Sequence, residues 1–384
     1  MIKILILTDF SSGYSRDLLK GVVKYSQEVG MWAFYRMPLY YRVVYGDEGV
    51  VEWAKKWKAD AIIAQLTDFN VSLLHDLNIP IIIQNYKDRT DNVSNLTGDY
   101  KGTGTIAADF FIQRSYSKFA YYGMEETVWS RERYIGFKDR VLEFGGELFE
   151  YFECAQPQER WTYDLNTLGQ WIQSLPKPIA LFACDDQFAL NVSETCNIFN
   201  ISVPEEVAIL GVDNDELLCN ISMPPISSIE LDVENGGYVA AQTLHQFINN
   251  EIVEAIDIVV KPIQIVKRKS TEMYAVTDKY IMKVIEYIDK NYGQPISVED
   301  ILKLIPLSRR LLEKHFRKHV NISIYQFVLQ VRIDHFSELL LQTNKPISSI
   351  APLCGFDSNQ NVSRIFYKFK RTTPVQFRKM YKKK

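Results

Sequence analysis

At 384 residues the chain is too long for one ordinary core, so two or three domains are expected. Its composition, 47% hydrophobic and 24% charged, is that of a globular protein, and no apolar run approaches the roughly 20 residues that span a bilayer. The net charge of -3 hides an asymmetry: from Asp278 to Lys384, 20 Lys and Arg stand against 9 Asp and Glu, a net +11, which leaves -14 on the remainder. The C-terminal part is therefore expected to meet a polyanion.

In chain order, the first apolar run is Ile4–Leu7, cut off by Asp9. It is too short for a signal-peptide core and reads as a buried strand, so the protein is expected to stay in the cytoplasm, with no membrane partner. Similar runs recur at Ala61–Ala64, Ile81–Ile83, Phe119–Tyr122, Ile179–Phe182 and Val207–Leu210. Between them lie helical patterns such as Leu18, Leu19, Val22, Val23 and Tyr25. Continuous apolar strands alternating with helices predict α/β lobes with parallel sheets covered on both faces, and the length suits two. Cys154, Cys184, Cys196, Cys219 and Cys354 are widely spaced without a CxxC pair, which reads as buried small residues rather than disulfides or zinc ligands. Near Lys267–Glu272 the pattern changes, and only helices follow; the boundary is placed so that 1–275 and 276–384 are separate domains.

The second domain carries a helix-turn-helix pattern twice. In Ile296–His319, Ser297 caps a short helix, Pro306 sits in the turn and Ser308 caps the next helix. On that helix Leu312, Phe316 and His319 share one face; Arg310, Lys314 and Arg317 project from the other, with Glu313 beside them. In Ile347–Pro374, Gly355 ends one helix and Asp357 or Ser358 caps the next. There Val362, Ile365, Phe366 and Phe369 form the buried stripe, and Gln360, Arg364, Tyr367 and Arg371 turn outward. Arg pairs with guanine and Gln with adenine in the major groove, while Lys368 and Lys370 flank the helix where phosphates would lie. His315 and His319 stand four apart, but no metal site, cofactor or catalytic residue is expected. The motifs GxSxG, HExxH, GxGxxG and the P-loop are absent, and Gly102 and Gly104 (KGTGT) lack the following lysine and the spacing of a phosphate loop.

Ligands of α/β lobes lie at the C-terminal ends of strands, where Asp9, Asn85, Asp185 and Asp213 fall; Arg133 follows the Phe119–Tyr122 run. Phe10, Tyr14 and Trp129 offer apolar faces suited to the C–H side of a sugar ring.

About 105 C-terminal residues resemble the AraC/XylS-type DNA-binding domain. They share Ile296-Ser297, Ser308 with Leu312 and Phe316, Arg332 with Leu339-Leu340, Ile350-Ala351, Gly355-Phe356, Ser363-Arg364 with Phe366, and Thr373-Pro374 with Phe377-Arg378. The resemblance implies base contacts by Arg310 and Lys314 in one recognition helix and by Gln360 and Arg364 in the other, with Glu313, Arg317, Asn361, Ser363, Tyr367 and Lys368 around them. Two features depart from the pattern: Asn321 replaces a Gly, and Pro352 falls inside the short helix before Gly355.

The first 270 residues resemble the LacI/GalR-type sensor, built like periplasmic sugar-binding proteins, through Ile4–Asp9, Ala59–Ile63, Ile79–Ile83, Ser130–Gly136, Leu181–Gln187 and Val203–Asn214. The combined layout is similar to that of the xylose-type operon regulators, which Tyr14-Ser15-Arg16 also matches. This implies a cytoplasmic transcription regulator of sugar-utilisation genes. Its effector is a pentose such as xylose, held by Asn85, Arg133, Asp185 and Asp213 with Asp9, Phe10, Tyr14, Arg16 and Trp129. The implied partners are double-stranded DNA, a second copy of the chain and RNA polymerase. A nucleobase or other metabolite in the same cleft, or a sugar-processing enzyme, are the competing expectations.

Overall fold

The computed structural model describes residues 1–37, 39–66, 71–153, 163–251, 254–276, 278–356 and 359–382, less the side chains of 39, 40, 43, 66, 71, 75, 359 and 360. One compact unit comprises Met1–Phe110 and Ser117–Met273; the other comprises Phe111–Tyr116 and Tyr274–Lys384.

The first unit has two lobes. Lobe 1 opens the chain with β1 (Ile2–Leu7), α1 (Gly13–Val29), β2 (Trp32–Arg36), α2 (Leu39–Trp57), β3 (Ala61–Leu66), α3 (Val71–His75), β4 (Ile81–Asn85) and β5 (Ser94–Gly98). The chain then builds lobe 2 from α4 (Tyr100–Ile112), β6 (Lys118–Met124), α5 (Val128–Phe144), β7 (Glu147–Glu153), α6 (Leu165–Ser174), β8 (Ile179–Ala183), α7 (Asp186–Ile198), β9 (Val207–Val212), α8 (Glu216–Ile221) and β10 (Ser227–Leu231). It returns to lobe 1 through α9 (Val233–Ile248) and β11 (Ile258–Val260) and closes on β12 (Pro262–Val266) in lobe 2. The three crossing strands hold one another: Asp99 N–H donates to the Val260 carbonyl and Asp232 N–H to that of Lys261, each at 2.9 Å.

Both sheets have the same winding, β2-β1-β3-β4-β5-β11 and β7-β6-β8-β9-β10-β12. All described pairings are parallel except β10 with β12. The six apolar runs of the sequence are the central strands β1, β3, β4, β6, β8 and β9, nearly all of whose run residues are buried. The order reverses between β1 and β3, and again between β6 and β8. Each reversal opens a crevice beyond the strand C-termini, and the candidate ligand residues lie there. Gly21 and Gly237 let α1 and α9 touch: a Cβ on either would stand within 2.0 Å of the other helix's carbonyl oxygen. Among the described cysteines, Cys184, Cys196, Cys219 and Cys354 are free and buried; Cys154 lies outside the described residues. Among the described residues no helix is long and apolar enough to cross a membrane.

The second unit is helical: α10 (Lys279–Asn291), α11 (Val298–Leu302), α12 (Arg309–Val320), α13 (Ile324–Gln342), α14 (Ile347–Leu353), α15 (Asn359–Lys370) and α16 (Pro374–Tyr381). Its starts are set by local chemistry. Asp278, Ser297, Ser308, Ser323 and Thr373 each accept a backbone N–H of the first turn of their helix. Asn321 takes the left-handed conformation, φ 63°, at the end of α12, so this departure from Gly is accommodated. Pro352 lies in the last turn of α14, next to its final residue, rather than the first. Long α13 joins the two helix-turn-helix halves. Its Arg332 donates to the Tyr292 and Gln294 carbonyls at 2.8 Å, and its His335 stacks on Tyr292 at 3.9 Å.

Candidate ligand and DNA sites

Arg133 is the centre of the sensor cleft. Gly104 and Gly136 place it: a Cβ on Gly104 would meet the Arg133 carbonyl oxygen at 2.0 Å, and one on Gly136 the Lys101 carbonyl oxygen at 2.0 Å, so α4 and α5 pack backbone to backbone. The guanidinium is 3% exposed, donates to the Cys184 carbonyl, and lies 3.5 Å from Asp213 and 5.6 Å from the centre of the Tyr100 ring. Its Nε and the Oδ1 of Asp213 are buried without a hydrogen-bond partner. Burial works against the Arg133 charge, but Asp213, Tyr100 and Asp185 outweigh it and hold the group protonated.

Asp185 caps α7 by accepting from Phe188 N–H at 2.9 Å. Burial, then the Asp213 charge, push its carboxyl up to about 6. Burial likewise raises Asp213, with Arg133 opposing. Asp186 is a wall rather than a ligand group: it accepts from Ser228 Oγ at 2.6 Å and Asp215 N–H at 2.7 Å. From lobe 1 comes a hydrogen-bonded chain: Ser15 to Gln65 at 2.6 Å, Gln65 to Gln84 at 2.6 Å and Gln84 to Tyr14 at 3.3 Å. Burial, with Tyr100 and Asp213 nearby, keeps the Tyr14 hydroxyl protonated.

The other predicted residues lie around this cluster with partners of their own. Asp9 accepts from the N–H and hydroxyl of Ser11. Phe10 lies under Arg36 at 4.7 Å. Arg16 donates to the carbonyls of Phe10 and Ser11 and lies 3.5 Å from Asp215. Asn85 is committed to its own loop, accepting from Lys87 N–H at 3.0 Å and donating to Thr90 at 3.4 Å. Trp129 meets Tyr86 edge to face at 4.9 Å. The lobes touch directly here: Val128 N–H donates to the Tyr86 carbonyl at 2.9 Å, Arg89 grips Glu132 at 2.6 and 2.9 Å, and Gly13 N–H donates to Asp215 at 3.1 Å.

In the helical unit, Leu312 and Phe316 are buried, and Arg310, Lys314 and Arg317 are exposed on α12, with Glu313 half-buried between them. His319 is not part of the apolar face: it and His315 approach Asp278, at 3.8 and 3.1 Å. On α15, Val362 and Phe366 are buried, Asn361, Arg364, Tyr367 and Lys368 are exposed, and Ser363 is half-buried. The Gln360 side chain and the proposed caps Asp357 and Ser358 lie outside the described residues. Lys370 does not flank the helix freely; it lies 3.8 Å from Asp334.

Residues 108–271 match the periplasmic binding protein-like domain, and residues 302–380 match a helix-turn-helix domain. The xylose operon regulatory protein of Escherichia coli is 27% identical over 98% of this chain and 96% of its own; that of Haemophilus influenzae is 28% identical over 98% of each. A solved structure of a xylose-binding transcription activator superposes with TM-score 0.60 at 25% identity, over 99% of this chain and 98% of that one. The chain is a transcription regulator that joins a periplasmic-binding-protein-like sensor to an AraC-type helix-turn-helix reader of DNA.

Tyr86, Tyr100, Gln65 and Gln84 of the regulator's cleft were missed from sequence. The signal available for the glutamines was a polar residue inside an otherwise apolar strand, as in Ile81–Asn85 (IIIQN). Asp185 makes the regulator's stability depend on pH. A folded carboxyl near 6 against an unfolded value near 3.9 means that ionisation opposes folding. The penalty is absent below about pH 4, grows through the folded value, and is complete above it, with a ceiling of about 3 kcal/mol because Asp185 keeps some exposure. Asp185→Asn retains the cap. Its sensor transition should melt a few degrees above wild type at pH 7.5 and converge with it near pH 4.5, as read by calorimetric scans. Equal melting at both pH values would contradict this.

Proposed function

We propose that the sensor cleft binds a small sugar, a pentose such as xylose, and that its occupancy changes how the reader holds DNA at sugar-utilisation genes. The observation that carries this reading is the pair of buried atoms without a hydrogen-bond partner, Arg133 Nε and Asp213 Oδ1, the latter only in ion-pair contact with Arg133 at 3.5 Å, at the crevice between two lobes. Sugar hydroxyls supply both the acceptor and the donor those atoms lack. The similarity to regulators of xylose operons along nearly the whole chain supports the same ligand class. In this reading residues 1–275 sense and 276–384 read, in the cytoplasm. Arg310, Lys314, Gln360 and Arg364 contact bases, and Lys368 and Arg317 contact phosphate. Helices α12 and α15 enter successive major grooves about 34 Å apart.

A second copy of the chain and RNA polymerase complete the proposed partners. Leu217 and Ile221 lie four apart on α8, each 69% exposed, with Met223 79% exposed just beyond, which suits a homodimer through the sensor. Sedimentation velocity reads that stoichiometry.

Two lobes that close on a ligand give it contacts absent in the open form, which is what coupling requires. Saturation at 100 times Kd should stabilise the sensor by about 2.7 kcal/mol. Operator affinity should change about 5–150-fold. The experiment is thermal melting against a panel of monosaccharides and purines, then DNA titration with any hit. The reading is lost if no monosaccharide shifts the melt, and replaced if only a purine does.

A further inference from the structure

Charge places a tighter limit on the ligand than shape does. Among the described residues, four of the five guanidinium groups around the cleft are already paired with carboxylates. Arg133 faces Asp213 and the Cys184 carbonyl. Arg16 is held by Asp215 and two carbonyls, Arg89 by Glu132, and Arg131 by Asp88 and the Lys87 carbonyl. Arg36 lies over the Phe10 ring and is exposed to solvent. Carboxylates are in excess. Asp185 accepts from the backbone N–H of Phe188 rather than from a cation, and Asp213 is the carboxylate that faces the Arg133 guanidinium.

We propose that the cleft admits neutral polyols and rejects their anionic derivatives, the aldonates, uronates and sugar phosphates, and that Asp185 sets this discrimination. The proposal rests on the cleft being the effector site. A ligand carboxylate or phosphate has two ways to sit here. It can draw Arg133 away from Asp213, which leaves that half-buried carboxylate without its cation, or it can lie against Asp185 with no cation between them. Neutral hydroxyls do neither, since they donate to the carboxylates and accept from Arg133 Nε. Like charges a few ångströms apart at an effective dielectric of about 20 account for about a 100-fold loss in affinity. Asp185→Asn keeps the side-chain shape and removes the repulsion.

The test is titration calorimetry of the full chain with xylose, xylonate and xylonamide, the last two matched in shape and differing in charge. Xylonamide should bind, and xylonate should bind about 100-fold more weakly. In Asp185→Asn the ratio between them should fall at least about tenfold. Asp213→Asn, which frees Arg133, should narrow it as well and gives a second reading if the first variant binds neither compound. Acid and amide of equal affinity, or a ratio unchanged in both variants, overturns the proposal. So does a chain that binds xylose but neither of the other two, because exclusion is then steric. Failure of every neutral sugar to bind the folded chain defeats the effector reading itself, a different outcome.

Discussion

Raising salt from ~50 to ~200 mM should cost the regulator about 10³–10⁵-fold in affinity for duplex DNA. The reason is the charge of the reader, a net +11 from Asp278 to Lys384, placed on helices that expose it. Arg310, Lys314 and Arg317 are exposed on α12, and Arg364 and Lys368 on α15, over buried cores built around Phe316 and Phe366. With about 6–10 phosphates neutralised, log affinity falls linearly with log salt. Fluorescence anisotropy at several salt concentrations reads the slope directly, and a slope near zero removes the electrostatic account. Within this total the residues divide. Arg364→Ala should cost about 1–3 kcal/mol and relax preference at one base pair, whereas Lys368→Ala should weaken all sequences alike and reduce the slope by about one. A randomised-site binding assay separates the two. A uniform loss with Arg364→Ala would reassign it to phosphate.

The second large effect concerns Arg133. Its loss should abolish the response to sugar and also destabilise the sensor, by at most about 3–5 kcal/mol, because the half-buried Asp213 carboxylate is left without its buried cation. The guanidinium is 3% exposed and is the buried cation facing Asp213 and Asp185. The burial makes it a stability variant as well, so DNA binding must be compared below its lowered melting temperature. Arg133→Met should melt well below wild type, and adding Asp213→Asn should recover much of the loss, since replacing both partners is far less costly than removing one. Asn tolerates the positive φ of 102° at position 213. Thermal melts of the two single variants and the double variant close the cycle. An additive double variant would mean that the two groups do not interact.

Local patterns in the sequence determined much of the two helix-turn-helix units of the reader. Caps at Ser297, Ser308 and Asp278, the apolar stripes through Phe316 and Phe366, and Gly355 past α14 are all interactions within a few residues of one another. The central strands were legible for a related reason: burial on both faces demands an unbroken apolar run. Strands β5 (SNLTG) and β10 (SSIEL) carry no such signal, and edge strands β2 and β7 are only half-buried; hydrogen bonds to their neighbours make them strands. In the cleft, the winding rule sufficed to bring Arg133, Asp185 and Asp213 to one place. What surrounds them was decided by tertiary structure alone. Tyr14 meets Gln84 across 70 positions of sequence, and Arg133 reaches the Cys184 carbonyl across 51. Asn85 and Arg16 carry the right chemistry, yet their loops claim them first. A sequence states what each side chain is able to bond; which partner takes it depends on distances that exist only after the lobes have folded and met.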